Sequence, residues 1–314
     1  MTDISLVLGV DGGGTKSLGL IATLEGNVLA RREVGASNPN VVGHDGAANN
    51  LYELIALCCT EAHCTPRDLG SMVFGLAGAG DEANRRRLID KVNTLARNHG
   101  LPPLAITIDT DARIALEGAF DGGPGVVVIA GTGSVVMGKT PDRSVRLVGG
   151  WGRVLGDEGS GYFIGLEAIK AVTRDFDGRG SSEFLRTTFA ANFGWSTRER
   201  VIAAVYRESF NIPSLAPVVL NGAAAGDKAC LEILQGAAVL LARQVEPTVR
   251  LFPANETIGV VLVGGLIDHE TVYARVLSEQ IHSIAPRTEI RRALHTPAHG
   301  AVFLAQEQLR KGIT

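Results

Sequence analysis

Residues 6–30 read LVLGVDGGGTKSLGLIATLEGNVLA: an apolar run, an aspartate, three consecutive glycines, then a second apolar run and an EGN turn. Asp-Gly between apolar segments is a strong hairpin signal, and Gly, Asp and Asn dominate tight turns. Three short strands are therefore expected between residues 5 and 34. Three glycines exceed what one turn requires. Without a Cβ, consecutive backbone amides can approach an anion and form a concave nest for phosphate.

The stretch is not a Walker loop, because Thr15 stands where that motif needs lysine, and it does not match GxGxxG. Both motifs also lead into a helix whose N-terminus holds phosphate. Here SLGLIATL, residues 17–24, continues as a strand. A strand-turn-strand phosphate loop belongs to a different fold, and VIAGTGSVV, residues 128–136, repeats that arrangement.

Outward from these loops the pattern continues as a helix over 45–62, a strand in SMVFGLAGAG (71–80), a helix in DEANRRRLIDKVNTLARN (81–98) and a strand in LAITID (104–109). The second loop opens a similar series of strands over 125–150. Helical periodicity follows from 159 to about 250, and IGVVLVGGLI (258–267) returns to a buried strand. The recurrence predicts two related α/β halves, with ligand at their junction.

With 314 residues and 45% hydrophobic side chains the chain can bury a core in each half. Its 30 basic and 33 acidic residues leave a net charge of -3 without long single-sign runs, which points away from nucleic acid and anionic membranes and towards small-molecule partners. The start MTDISLVLGV has neither the basic end nor the long apolar core of an export signal. Reduced thiols and a cytoplasmic location are expected. Cys58, Cys59 and Cys64 share LYELIALCCTEAHC (51–64) with His63, a segment that reads as an amphipathic helix burying thiols rather than a metal site.

As a set, GVDGGGTKS, SNPNVVG, IDTDARIA, VVIAGTGS, GGWGRVLGDEGSG and VVLVGGL, spread from residue 9 to 266, resemble the N-acetylglucosamine kinase branch of the BadF/BadG/BcrA/BcrD ATPases, within the actin-like and sugar-kinase superfamily. The resemblance implies two ribonuclease-H-like (actin-like ATPase) domains flanking a cleft: residues 1–117 plus 297–314, and residues 118–296 with a helical insertion. It implies a helix near 298–309 packing back on the first domain, and a dimer formed through the second.

It also implies ATP and Mg2+ as cofactors. Gly12, Gly13, Gly14 and Thr15 would form one phosphate loop and Gly131, Thr132, Gly133 and Ser134 the other, with Gly264 and Gly265 against adenosine. Asp11 would hold the magnesium through water, in keeping with a cation that dehydrates reluctantly. The acceptor sugar would meet Asn38, Gly78, Asp111, Gly149, Gly150, Trp151 and Asp157.

Asp111 is the expected catalytic residue. As a strand-end carboxylate it can accept the proton of a sugar 6-hydroxyl, although an aspartate between strand and helix is equally an N-cap, and Asp109 competes for the role. Asp157, Glu158 or Ser160 would cap the helix after GDEGSG, and tryptophan at 151 is more often a packing residue. Lys16 stays outside the expected site.

The activity implied is phosphorylation of N-acetylglucosamine at the 6-hydroxyl, with glucosamine and N-acetylmuramic acid as alternatives. An ATPase activator of a radical dehydratase or benzoyl-CoA reductase shares the ATPase half of the pattern. It would need cysteines for an iron-sulfur cluster in the segment directly following the second phosphate loop, and none stands in that segment: Cys58, Cys59 and Cys64 share one early stretch and Cys230 falls in a later helical one. A zinc-containing repressor of the sugar-kinase type would need CxCGxxGC, which is also missing.

Overall fold

The computed structural model describes residues 6–180, 182–267 and 270–312. The chain divides into two compact units, Met1–Pro124 with Arg292–Thr314, and Gly125–Arg291.

In the first unit the expected meander forms as β1 (Leu6–Gly12), β2 (Lys16–Thr23) and β3 (Val28–Gly35), and Ser5, its expected start, lies outside the described residues. β4 (Leu69–Leu76) and β5 (Ile106–Thr110) run parallel to β1, giving the order β3-β2-β1-β4-β5. Strand alternation sorts β1 between two faces. Leu8 and Val10 join the core under α1 (Pro39–Glu61) and α2 (Glu82–Asn98). Val7 joins the opposite core, formed with α3 (Asp111–Ala119) and α10 (Pro297–Arg310).

Helix α1 begins earlier than the pattern predicted. Pro39 sits in its first turn, a favoured place for proline, and Asn38 caps it; the chain then kinks at Gly43, whose φ of 70° and ψ of 169° suit glycine. Helix α10 lies against β1 and α3 at backbone distance. A Cβ on Gly9 would collide with Val302, and one on Gly300 with the Ile114 carbonyl.

The second unit repeats the sheet with β6 (Gly125–Ala130), β7 (Ser134–Lys139), β8 (Val145–Gly149), β9 (Ile258–Val263) and β10 (Thr288–Arg291), in the order β10-β9-β6-β7-β8. Between β8 and β9 lie α4 (Gly161–Phe176), α5 (Glu183–Phe193), α6 (Arg198–Tyr206), α7 (Ala216–Ala224) and α8 (Lys228–Val249). This is the expected helical stretch, and α9 (Val272–Ile284) follows β9. Phe189, Phe193, Trp195 and Phe210 pack edge-on or tilted in its core, with ring centroids 4.6–5.8 Å apart.

The boundaries fall at 124/125 and 291/292 rather than at 117/118 and 296/297. Helix α3 runs on to Ala119, and the returning chain docks on its end: the amides of Leu294 and His295 donate to the carbonyls of Ala119 and Gly118 at 3.1 and 3.0 Å. Residues 118–124 and 292–296 therefore belong to the first unit. Among the described residues no helix is long and apolar enough to cross a membrane.

Candidate functional site

In the first unit the parallel strands end level with one another. Gly12 on β1 pairs with Leu76 on β4, which pairs with Thr110 on β5. The carboxyl ends of such strands are where α/β folds gather ligand-binding loops. Asp11, the loop carrying Gly78 and the Asp111 end of α3 all arise there.

Around the DGGGT turn, the Gly13 amide donates to the Lys16 carbonyl at 2.9 Å, closing the hairpin. The Gly13 carbonyl accepts the amides of Ser37 and Asn38, each at 3.1 Å. Gly14 and Thr15 are exposed, and their amides have no partner among the described residues. Gly12 is buried, and a Cβ there would strike Leu76, so packing as well as ligand access demands this glycine.

The phosphate-loop candidate is thereby tied to the SNPN segment. The Asn38 side chain accepts the Asn40 amide at 2.9 Å, while Ser17 and Ser37 share a buried hydroxyl contact of 2.6 Å and Asn50 donates to the Ala36 carbonyl at 2.6 Å. Gly78, at φ 81°, leaves room for Asn38, whose Oδ1 would stand 2.5 Å from a Cβ at that position. Sequence reasoning missed Ser17, Ser37 and Asn50, because hydroxyl and amide partners 14 to 20 residues apart leave no periodic signal.

Asp111 does not cap α3. Thr110 does, its hydroxyl accepting the Arg113 amide at 3.2 Å, and Asp111 occupies the first helical position with its Oδ1 on the Ala112 amide at 2.8 Å. Although solvent reaches it, loss of hydration raises its carboxyl above the usual range. Asp11 is pushed up to about 6, first by desolvation and then by the charge of Asp111, with Lys16 opposing. Two carboxylates within mutual electrostatic reach are costly without a cation. Asp109 lies on β5 with its Oδ1 accepting the Thr110 amide at 2.7 Å.

The second unit offers an equivalent loop. The Gly131 amide donates to the Gly133 carbonyl at 2.9 Å, and the Ser134 amide to Asp157 Oδ1 at 3.3 Å. Only the amides of Thr132 and Gly133 in that loop have no partner among the described residues. The N-terminus of α4 does not wait for an anion: Gly161 and Tyr162 donate to the carbonyls of Gly131 and Thr132 at 2.8 and 3.2 Å. Ser160, not Asp157 or Glu158, caps the helix by accepting the Phe163 amide at 3.1 Å. The helix dipole thus grips the loop itself.

Asp157 is buried in a left-handed conformation, φ 61°, and desolvation raises its carboxyl against the lowering effect of the Ser134 amide. Gly149 and Gly150 have φ of 79° and 72°, and Trp151 is 74% exposed, so its ring is no packing residue. Two further anchors escaped sequence reasoning. Tyr273 donates to the Gly159 carbonyl at 2.7 Å from a fully buried position, and Gln244 donates to Glu158 at 2.9 Å. Their partners lie 114 and 86 residues away in sequence.

Gly264 has φ 112°, and its Cβ would lie 2.5 Å from the Ala130 carbonyl, whereas nothing comes within 4 Å of one on Gly265. Gly264 is required by close packing of β9 on β6, and Gly265 leaves an open surface beside it. Cys58 and Cys59 are buried in α1, and burial pushes the Cys58 thiol up to about 12, the reverse of the thiolate character that metal clusters need.

The model of the BadF/BadG/BcrA/BcrD ATPase family matches residues 8–305. An N-acetylmuramic acid/N-acetylglucosamine kinase of Clostridium acetobutylicum is 30% identical over 306 residues, covering 96% of this chain and 98% of the relative. An N-acetyl-D-glucosamine kinase of Dictyostelium discoideum is 28% identical over 314 residues, 96% of this chain and 97% of its own. The crystal structure of a protein provisionally named N-acetylglucosamine kinase, from Chromobacterium violaceum, superposes with a TM-score of 0.70 at 26% identity, over 96% of this chain and 99% of that one. With paired five-stranded sheets and two glycine loops in equivalent places, the chain belongs to the BadF/BadG/BcrA/BcrD ATPase family, in the branch whose members bear the names of amino-sugar kinases.

Proposed function

We propose that this chain is an ATP-dependent amino-sugar kinase that transfers the terminal phosphoryl group of ATP to the 6-hydroxyl of N-acetylglucosamine. The observation that carries this reading is Asp111. Relieved of capping by Thr110, it is a solvent-accessible carboxylate whose proton affinity is raised by partial loss of hydration, within electrostatic reach of Asp11 at the carboxyl ends of the first unit's parallel strands. The full-length kinship with proteins named for N-acetylglucosamine supports the acceptor class.

In this reading Asp111 orients the 6-hydroxyl and takes its proton as the oxygen-phosphorus bond forms, while the bond from phosphorus to the bridging oxygen breaks and its electrons leave with ADP. A carboxyl raised above the ordinary aspartate range is a stronger base than an unperturbed one. Most of the acceleration in phosphoryl transfer comes from positioning and electrostatics, which the loops supply. The unpartnered amides of Gly14 and Thr15, and of Thr132 and Gly133, are the donors offered to phosphate oxygens. Gly264 and Gly265 offer a surface without side chains for adenosine, and Asn38, Gly78, Gly149, Gly150, Trp151 and Asp157 provide sugar contacts.

The residues present fit a magnesium ion. Asp11 and Asp111 form an oxygen-only, like-charged pair with raised affinity for protons, and magnesium sites often use one or two carboxylates together with substrate phosphates. Asp11 would hold the ion, which when bound neutralises charge on the phosphate oxygens.

A coupled ADP-release assay with N-acetylglucosamine, glucosamine, N-acetylmannosamine, N-acetylmuramic acid and glucose tests the reading. The expected result is a kcat/KM led by an N-acetylated glucosamine, with phosphorus NMR of the product locating the new ester at the 6-position. ADP release that ignores every sugar would overturn it.

A further inference from the structure

Within the second unit, α4 and α8 line a cavity of about 400 Å³, inside the range of about 300–1,000 Å³ found for small-molecule sites. Helix α4 contributes Phe163, Glu167, Ala171 and Arg174, whose spacing of three or four residues keeps them on one helix face. Ile233, Gly236 and Leu240 come from α8. The walls are thus mainly apolar. None of the residues read as phosphate, adenosine or sugar contacts belongs to the described lining.

Two of the lining residues are not accounted for by the fold. Arg174 is half-buried, yet it has no carboxylate partner among the described residues. The acids beside it in sequence or across the cavity are engaged: Glu167 with Lys170 at 2.7 Å, Asp175 with Arg186 at 2.8 Å, Asp177 with Arg179 at 2.7 Å and Glu232 with Lys228 at 3.9 Å. A place in the last turn of α4 suits the helix dipole, but an exposed cation would serve that equally. Gly236 lies inside the 22-residue α8, where glycine is a poorer helix former than alanine, and a Cβ there would meet nothing within 4 Å. Packing does not require this glycine; its missing side chain keeps the cavity open.

We propose that this cavity is a ligand site, separate from the phosphate loops, for a small organic monocarboxylate. The planar fork of Arg174 takes the carboxylate with two parallel hydrogen bonds, and the hydrocarbon body lies among Phe163, Ala171, Ile233 and Leu240 above Gly236. One unpaired cation matches one negative charge. Glu167 and Glu232 on the lining disfavour a second, which makes phosphates and nucleotides poor occupants. The site stands independently of the kinase reading.

The test is calorimetry of the full chain with hydrocinnamate, its neutral amide hydrocinnamide, and phenyl phosphate. Hydrocinnamate is expected to bind saturably, about tenfold or more tighter than either of the others. It should also slow amide hydrogen exchange in 163–174 and 229–240. Arg174→Met is expected to lower the acid-to-amide affinity ratio about tenfold; because the ratio is taken within one protein, partial misfolding cancels. Gly236→Leu, which fills the cavity with a better helix former, should remove binding of both compounds while the circular dichroism of the protein stays unchanged. Absence of saturable hydrocinnamate binding overturns the proposal, as does equal affinity for acid and amide. An unchanged ratio in Arg174→Met, or slowed exchange confined to the phosphate loops, overturns it too.

Discussion

At the scale of single residues, Asp11 and Asp111 are paired in an environment that disfavours charge. Asp11 in the fold titrates near 6, against an ordinary 3.8, so the folded protein binds its proton more tightly than the unfolded chain does. Its stabilising contribution is fully present below about 3.8 and is lost as pH rises through about 6. In metal-free protein, Asp11→Asn is therefore expected to be more stable than wild type at pH 7, the difference closing by about pH 4; denaturant titrations across that range would show it, and a constant difference would refute it. For Asp111→Asn, kcat should fall roughly 10²–10⁴-fold, the range for removing a general base. ADP affinity by calorimetry should stay nearly constant. Wild-type turnover in that variant would remove Asp111 from the mechanism.

At the scale of elements, the second phosphate loop is held from beneath. Helix α4 gives two amides to its carbonyls, and α9 reaches the preceding segment through Tyr273. Tyr273→Phe leaves the Gly159 carbonyl without its donor at a buried site, which costs about 1–3 kcal/mol in chemical denaturation. KM for the acceptor is expected to rise with it, because Gly159 follows the segment from 149 to 157 read as sugar-binding. Gly264→Ala imposes a strained backbone worth about 1–3 kcal/mol and drives a methyl onto the Ala130 carbonyl. Loss of folded yield is the expected outcome, and normal yield with normal stability would show that β6 and β9 can separate.

At the scale of the whole molecule, the chain leaves the first unit at Pro124 and returns at Arg292, so α10 completes a core begun almost 300 residues earlier. Ala298, Ala301, Val302 and Ala305 pack with Val7, Leu20, Val73 and Ile114. In an exposed helix Gly→Ala would add about 1 kcal/mol of stability. Gly300→Ala is expected to do the opposite, costing about 1–3 kcal/mol, because its Cβ meets the Ile114 carbonyl rather than solvent. A raised melting temperature in that variant would contradict the close packing of α10 on α3.

The sequence by itself determined the succession of elements through the first sheet and from β6 to β9 of the second, since Asp-Gly turns, apolar runs and the second glycine loop are local signals that survive without knowledge of partners, whereas α9 and β10 were not read from it. The strand after DGGGT excluded the helix-based phosphate motifs, and the motif set named the family. Tertiary structure alone decided which groups are free to act. Thr110 rather than Asp111 caps α3, two amides in each loop escape the fold's own hydrogen bonds, and Gly12 and Gly264 answer to packing as well as to ligand. Tyr273 and Gln244 steady a segment more than 80 residues away. Propensity is written along the chain, whereas hydration, charge and hydrogen-bond satisfaction depend on which residues the fold brings together.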